Sequence, residues 1–193
     1  MSRYVREGRP GVILVGSHVR KTTRQLERLL EEQGTAGVEV DVDALETDRD
    51  SLLRNVISRV AAIHKRTETP VVYTSRAEKR FQNDSERLAF GERVSAFLMD
   101  VVRRLPPTIG YLISKGGITS NDVLSTGLDL SASRVLGQVL PGCSVVRCPS
   151  EHSQFPELPV VIFPGNVGDD DALAEAYRRM SDSSVERGRT ATA

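Results

Sequence analysis

The 193 residues include 39% hydrophobic and 27% charged residues, enough apolar material for one folded domain, which excludes wholesale disorder. The 26 Lys and Arg residues balance the 26 Asp and Glu residues, so the formal net charge is zero. This balance argues against a protein that binds the backbone of nucleic acids, because such a protein needs a basic surface. A single phosphorylated ligand remains compatible, since the N-terminus of one helix can bind a phosphate group.

Membrane insertion and secretion are also disfavoured. The longest apolar runs, such as residues 11–16, are much shorter than the roughly 20 residues of a transmembrane helix. The polar segment 1–10 is not followed by the apolar region of a signal peptide. Cys143 and Cys148 are too few for a disulfide scaffold, and without further Cys or paired His they do not indicate a zinc site. We therefore expect a cytoplasmic protein with two reduced thiols.

Predicted strands and helices alternate over the first two thirds of the chain. Thr22-x-x-Gln25 has the pattern of a capping box and predicts the start of the first helix. Short connections between alternating elements are typical of a parallel sheet with helices on its faces. The predicted strands are 12–15, 38–42, 71–75 and 109–114, and the predicted helices run from Thr22 to Gly34, from Asp48 through Ile63, and from Asp84 to Arg104.

Beyond these elements, short strand-like pieces separated by Pro-Gly turns predict an antiparallel extension. They cover 134–139, 144–148 and 160–163, and a last helix follows over 169–180. The predicted fold class is therefore α/β, a parallel sheet with flanking helices plus a short antiparallel extension near the C-terminus. We expect an N-terminal segment at 1–10, one domain at 11–180 and a disordered tail at 181–193.

Three loops follow predicted strands and contain glycine. Ser17 follows Gly16 after the first strand, Gly116-Gly117-Ile118-Thr119 follows the fourth, and Gly165 lies in the segment 163–168. In open parallel sheets, ligands bind beyond the carboxyl ends of the strands. The two adjacent glycines permit positive φ and expose N–H groups to phosphate oxygens, and Thr119 is the expected N-cap of the next helix. A tight turn without a ligand is the alternative for each loop.

Other chemistry is sparse. His18, His64 and His152 are scattered, so we expect no catalytic or metal cluster. The run Asp169–Asp171 fits ordinary partners of a helix dipole better than metal ligands. Segment 74–76 ends a predicted strand and is either a plain turn or part of the same crevice.

Five landmarks in chain order carry a family resemblance. The chain resembles the C-terminal, nucleotide-binding domain of the four-carbon acid sugar kinase family over roughly residues 11–175. Where relatives carry Lys before the last glycine loop, this chain has Phe163-Pro164, and Lys115 is the alternative source of positive charge. The landmarks are Gly16-Ser17 with Thr23-x-Gln25, Tyr73-Thr74-Ser75-Arg76, Lys115-Gly116-Gly117-Ile118-Thr119-Ser120, Gly137-Gln138 with Pro141-Gly142, and Pro164-Gly165-Asn166-Val167-Gly168.

The resemblance implies a part of a two-domain kinase that phosphorylates compounds such as threonate, erythronate or 3-oxo-tetronate with ATP and Mg²⁺. The sugar acid is expected on an N-terminal domain that this chain lacks, and a homo-oligomer is compatible with the sequence. A non-catalytic nucleotide-sensing module is the main alternative, and an α/β enzyme for sugar phosphates or dinucleotides is a weaker one. Carried over onto this sequence, the nucleotide-binding residues are Ser17, Gly116, Gly117, Ile118, Thr119 and Gly165, with no catalytic residue and no metal ligand assigned.

Overall fold

The computed structural model describes residues 1–76 and 81–181, and they build one seven-stranded sheet with helices on both faces. Its strands are β1 (Val12–Val15), β2 (Thr35–Val40), β3 (Thr69–Thr74), β4 (Leu112–Lys115), β5 (Arg134–Leu140), β6 (Cys143–Arg147) and β7 (Pro159–Phe163). Their order across the sheet is β2-β3-β1-β4-β7-β6-β5. Strands β2, β3, β1, β4 and β7 are parallel, while β6 is antiparallel to both β7 and β5. The predicted α/β class, with its parallel sheet and antiparallel extension, is confirmed.

The bounds of the elements follow the predicted order along the chain. The α-helices are α1 (Arg20–Leu30), α2 (Arg49–Lys65), α3 (Asp84–Val102), α4 (Gly117–Asp122) and α5 (Ala172–Ser181), with a π-helical turn at Val123–Gly127 after α4.

The central strands are apolar throughout because helices cover both faces of the sheet. In β1, Val12 and Leu14 belong to the core cluster that packs with α2 and α3. Ile13 and Val15 belong to the opposite cluster, which packs with α1 and α5. All four side chains are at most 1% exposed. Burying each one stabilises the fold by about 1.5–3 kcal/mol, so the central strands fix the position of the loops that follow them.

Side-chain caps begin two of the long helices. Asp48 accepts a hydrogen bond from the backbone N–H of Ser51 at 3.2 Å, and Asn83 accepts one from Glu86 at 2.8 Å. The predicted capping box at Thr22 is wrong, because α1 already begins at Arg20 and has no side-chain cap. Thr22 and Gln25 are fully buried inside α1 instead.

The chain termini lie at different parts of the sheet. Segment 1–10 contains two 3₁₀ turns and packs beside β4, where the N–H of Arg6 donates to the Gly110 carbonyl at 3.0 Å. The predicted tail begins at Ser181, which is the last residue of α5, and residues 182–193 lie outside the described residues. Among the described helices, none has the length and apolar character needed to cross a membrane.

Candidate functional site

The loops that follow β1, β3, β4 and β7 meet at the carboxyl edge of the parallel strands. These four strands are adjacent in the order β3-β1-β4-β7, so Ser17 lies between Arg76 on one side and Gly116 on the other. A Cβ atom added to Gly116 would lie 3.3 Å from the Ser17 Cβ, and one added to Gly165 would lie 3.6 Å from the Ser17 Oγ. The three loops singled out in the sequence are therefore neighbours in space.

Only one glycine of the Gly116-Gly117 pair needs the conformational freedom of glycine. Gly116 has a φ of 126° and is the N-cap residue of α4, and its N–H donates to the Phe163 carbonyl at 2.9 Å. Gly117 does not have a positive φ, and a Cβ added there would meet no atom within 4 Å. Of the two glycines that permit positive φ, Gly116 therefore adopts it, and the lack of a side chain at Gly117 leaves open space above the helix start.

Thr119 is not the cap of the helix, contrary to the sequence prediction. It is the third residue of α4 and is only 9% exposed. A Cβ added to Gly16 would lie 2.3 Å from the Thr119 Oγ1, so Thr119 packs directly on the backbone of the turn after β1. The neighbouring Ile118 side chain is 79% exposed. Because the first N–H groups of any helix lack partners within it and no side chain caps α4, the amides of 117–119 are available to a ligand.

The loop 164–169 is held through its carbonyl oxygens, a feature that the sequence analysis missed. Side chains of α1 and β4 donate to all six of these oxygens. The signal in the sequence was weak: polar Thr22 and Gln25 lie on the face of α1 that also carries the buried Leu26 and Leu29. The contacts are Lys21 Nζ to Asn166 O (3.2 Å) and Gly168 O (3.0 Å), Thr22 Oγ1 to Gly165 O (3.3 Å), Gln25 Nε2 to Val167 O (3.0 Å) and Asp169 O (2.6 Å), and Lys115 Nζ to Pro164 O (2.7 Å) and Gly165 O (3.0 Å).

Lys115 is a buried charged group that contacts this loop. Its side chain is fully buried, and its Nζ lies 4.4 Å from the centroid of the Phe163 ring. Burial lowers the pKa of Lys115 to about 8 from an ordinary value of 10.5, because an ammonium loses its hydration when it leaves water. Strand β7 thus ends in the aromatic ring of Phe163, and the positive charge beside the loop comes from Lys115 in the adjacent strand β4.

The side chains of Arg76, His18 and Thr74 lie on the other side of Ser17. The Arg76 Nη1 donates to the Ser17 carbonyl, and the His18 Nε2 lies 3.2 Å from the Thr74 Oγ1. Burial and the charge of Arg76 lower the pKa of His18, so its imidazole favours the neutral form. The segment 74–76, which the sequence left open between a turn and a crevice wall, lies beside Ser17.

The remaining candidate groups have local partners. The His64 Nε2 lies 3.1 Å from the Thr108 Oγ1, and the His152 Nε2 lies 2.9 Å from the Leu128 carbonyl. Asp170 forms an ion pair with Arg24 at 2.9 Å. Within residues 1–76 and 81–181, no group of three or more His, Cys, Asp or Glu residues could hold a metal ion.

Solved structures share this fold. One from Bordetella bronchiseptica, described as a domain of unknown function (DUF1537) with bound citrate in a domain-swapped dimer, has a TM-score of 0.69 and 19% identity over 89% of this chain and 41% of that chain. A putative tRNA synthase from Salmonella typhimurium has a TM-score of 0.72 and 22% identity over 92% and 42% of the two chains. A DUF1537 protein from Haemophilus influenzae has a TM-score of 0.65 and 19% identity over 89% and 42%.

The chain spans about two fifths of the length of these structures, since 41–42% of each is covered. No curated protein matches the chain significantly. The model of the family described as "Nucleotide-binding C-terminal domain" matches residues 12–173, which include the Ser17, Gly116 and Gly165 loops. The chain therefore belongs to the family of nucleotide-binding C-terminal domains, and the family resemblance predicted from the sequence is confirmed.

Proposed function

We propose that this chain is the ATP-binding part of a kinase for four-carbon sugar acids such as threonate, erythronate or 3-oxo-tetronate. The observation that carries the proposal is the convergence of three loops of a nucleotide-binding family domain around Ser17. The phosphates would contact the amides of Gly116 to Thr119, with Ser17 and Gly165 on either side. Amides at a helix start and a nearby positive charge suit phosphate oxygens.

The open space above Gly117 fits a ligand with bulky phosphates. A Cβ added there would meet no protein atom within 4 Å, so a clash with the protein does not require glycine at this position. Glycine at such a position lets a ligand approach the backbone closely. Lys115 adds a buried positive charge behind the same loops, and its hydrogen bonds to Pro164 and Gly165 fix the loop that would close over the nucleotide.

Mg²⁺ would reach the site as a part of the substrate, bound to the phosphates of ATP. Magnesium in phosphoryl transfer is usually held by one or two carboxylates together with phosphate oxygens. The proposal therefore needs no separate cluster of three or more metal-binding side chains, and the described residues contain none.

The acceptor would bind to another domain, because relatives of known structure are more than twice as long as the part that this chain matches. Holding the acceptor next to the phosphoryl group can supply about 7–11 kcal/mol of the rate enhancement. The chain alone is therefore expected to bind ATP or ADP without phosphorylating a tetronate. Turnover of any tetronate by the purified chain, in a coupled assay with Mg²⁺ and ATP, would contradict this part of the proposal.

Gly117→Val tests the position of the nucleotide. An added Cβ meets no protein atom within 4 Å, so the variant should fold normally but crowd the phosphates and weaken ADP binding at least about 10-fold, or 1.4 kcal/mol. Calorimetric titration with ADP measures the affinity, and thermal unfolding checks the fold. Gly91→Val is the matched control, because Gly91 in α3 also has no atom within 4 Å of an added Cβ. Unchanged ADP affinity in a folded Gly117→Val protein would place the nucleotide elsewhere.

A further inference from the structure

Arg76 has hydrogen-bonding capacity that the protein leaves unused. Of its three nitrogens, Nη1 donates to the Ser17 carbonyl, whereas Nε and Nη2 are buried and have no hydrogen-bond partner in the described chain. Glu39 and Tyr73 influence the guanidinium only through space. Leaving buried donors of a charged group unpaired costs free energy, typically about 1–3 kcal/mol or more, so a partner of opposite charge is expected.

Among the described residues, Glu39 is the acidic group that acts on Arg76, and it forms no hydrogen bond with the guanidinium. His18 favours its neutral form, and its Nε2 is paired with the Thr74 hydroxyl at 3.2 Å. Ser17 turns its carbonyl to Arg76, while its side chain lies next to Gly116 and Gly165. Ser17 thus lies between Arg76, which follows β3, and the glycine loops that follow β4 and β7.

We propose that Arg76 is the receptor for an oxyanion, a phosphoryl or carboxylate group, that binds on the β3 side of Ser17 next to the nucleotide. This inference rests on the proposed function, since it places the oxyanion beside bound ATP. The planar guanidinium presents Nε–H and Nη2–H side by side, which matches two oxygens of one phosphoryl or carboxylate group. The oxyanion has two sources: the terminal phosphoryl group of ATP, or the carboxylate of the sugar acid, which would reach Arg76 while the other domain holds the rest of that molecule.

The two sources predict different binding data. If the terminal phosphoryl group of ATP contacts Arg76, the parent protein binds ATP more tightly than ADP, and Arg76→Met removes that preference while ADP affinity stays the same. If the carboxylate does, threonate binds to the parent in the presence of ADP, and Arg76→Met weakens threonate binding. In either case we expect Arg76→Met to bind the ligand at least about 10-fold more weakly than the parent, the usual size for a hydrogen-bonded charged pair.

The experiment is calorimetric titration of the full chain with ADP, ATP, inorganic phosphate and threonate. Arg76→Met keeps the apolar stem of the side chain, Arg76→Lys keeps the charge without the fork, and Arg54→Met on the exposed side of α2 is the control. We expect a partial return of oxyanion binding in Arg76→Lys. Thermal unfolding checks that each variant is folded, since Arg76→Met removes the Nη1 hydrogen bond to the Ser17 carbonyl together with the two unpaired donors.

The outcomes separate this inference from the proposed function. If the parent binds neither ADP nor ATP, the proposed function fails, and phosphate and threonate titrations without nucleotide still test Arg76. If the parent binds nucleotide but Arg76→Met binds ATP, phosphate and threonate as tightly as the parent does, the oxyanion site is refuted while the nucleotide site stands.

Discussion

Replacing Lys115 by Met should change how the stability of the protein depends on pH. Met keeps most of the length of the buried side chain and removes the ammonium group. In the folded protein the pKa of Lys115 is lowered to about 8, against an ordinary 10.5 in an unfolded chain. Between these two values the unfolded chain binds more protons at this position than the folded one does. The parent therefore becomes more stable as the pH rises from about 8 to 10.5, while the Met variant lacks this contribution.

The size of the effect follows from the same two pKa values. At about 1.4 kcal/mol for each pH unit, the gap between 10.5 and about 8 corresponds to about 3 kcal/mol. The free energy of unfolding of the parent minus that of Lys115→Met should rise by about this amount between pH 7 and pH 10.5. The variant also loses the hydrogen bonds from Lys115 to the Pro164 and Gly165 carbonyls, so the test is the change of the difference with pH and not its value at pH 7.

Urea denaturation at several pH values measures both free energies, and groups that titrate in both proteins cancel in the difference. Exposed Lys65→Met, at the end of α2, controls for the loss of a lysine. A difference between parent and Lys115→Met that stays constant within about 0.5 kcal/mol would refute the reasoning, because the ammonium would then not lie in a desolvated environment.

Two further variants test the local structure. Gly16→Ala places a Cβ 2.3 Å from the Thr119 Oγ1 and should destabilise the protein by about 1–3 kcal/mol in urea denaturation. The additional change Thr119→Ala should recover part of this lost stability, and no recovery would contradict the contact. Asp48→Ala removes the cap that accepts from Ser51 and should cost about 1 kcal/mol by the same measurement, so an unchanged midpoint would mean that the cap adds nothing.

The sheet could be predicted because its signals are local. Val12–Val15 is a short apolar run closed by Gly16, and the structure gives β1 the predicted bounds. A strand buried on both faces needs apolar residues at every position, so its ends are marked by the first polar or glycine residues. Because alternating strands and helices predict parallel strands, the sequence also predicts that the loops after these strands meet at one edge of the sheet.

The network that holds the loop 164–169 could not be predicted from local patterns. Thr22 and Gln25 have the spacing of a capping box, but their side chains donate to carbonyls about 140 residues away along the chain. A side-chain donor takes whichever acceptor the tertiary fold brings close, and the sequence spacing does not contain that information. The same limit explains the cap of α4: Gly116 has a φ of 126° and begins the helix, which leaves Thr119 free to pack against Gly16.

These contacts also explain why a costly buried lysine is compatible with the fold. Lys115 donates to the loop from β4, the strand that leads directly into Gly116, and the α1 side chains donate to it from the helix that follows Ser17. The loop 164–169 is therefore tied to both of the other loops before any ligand binds. A loop ordered on folding does not have to be ordered again on binding, which reduces the entropic cost of association. The buried charge of Lys115 thus lowers the stability of the domain, while its hydrogen bonds hold the loop 164–169 in place. Such a trade between stability and function is expected at a binding site.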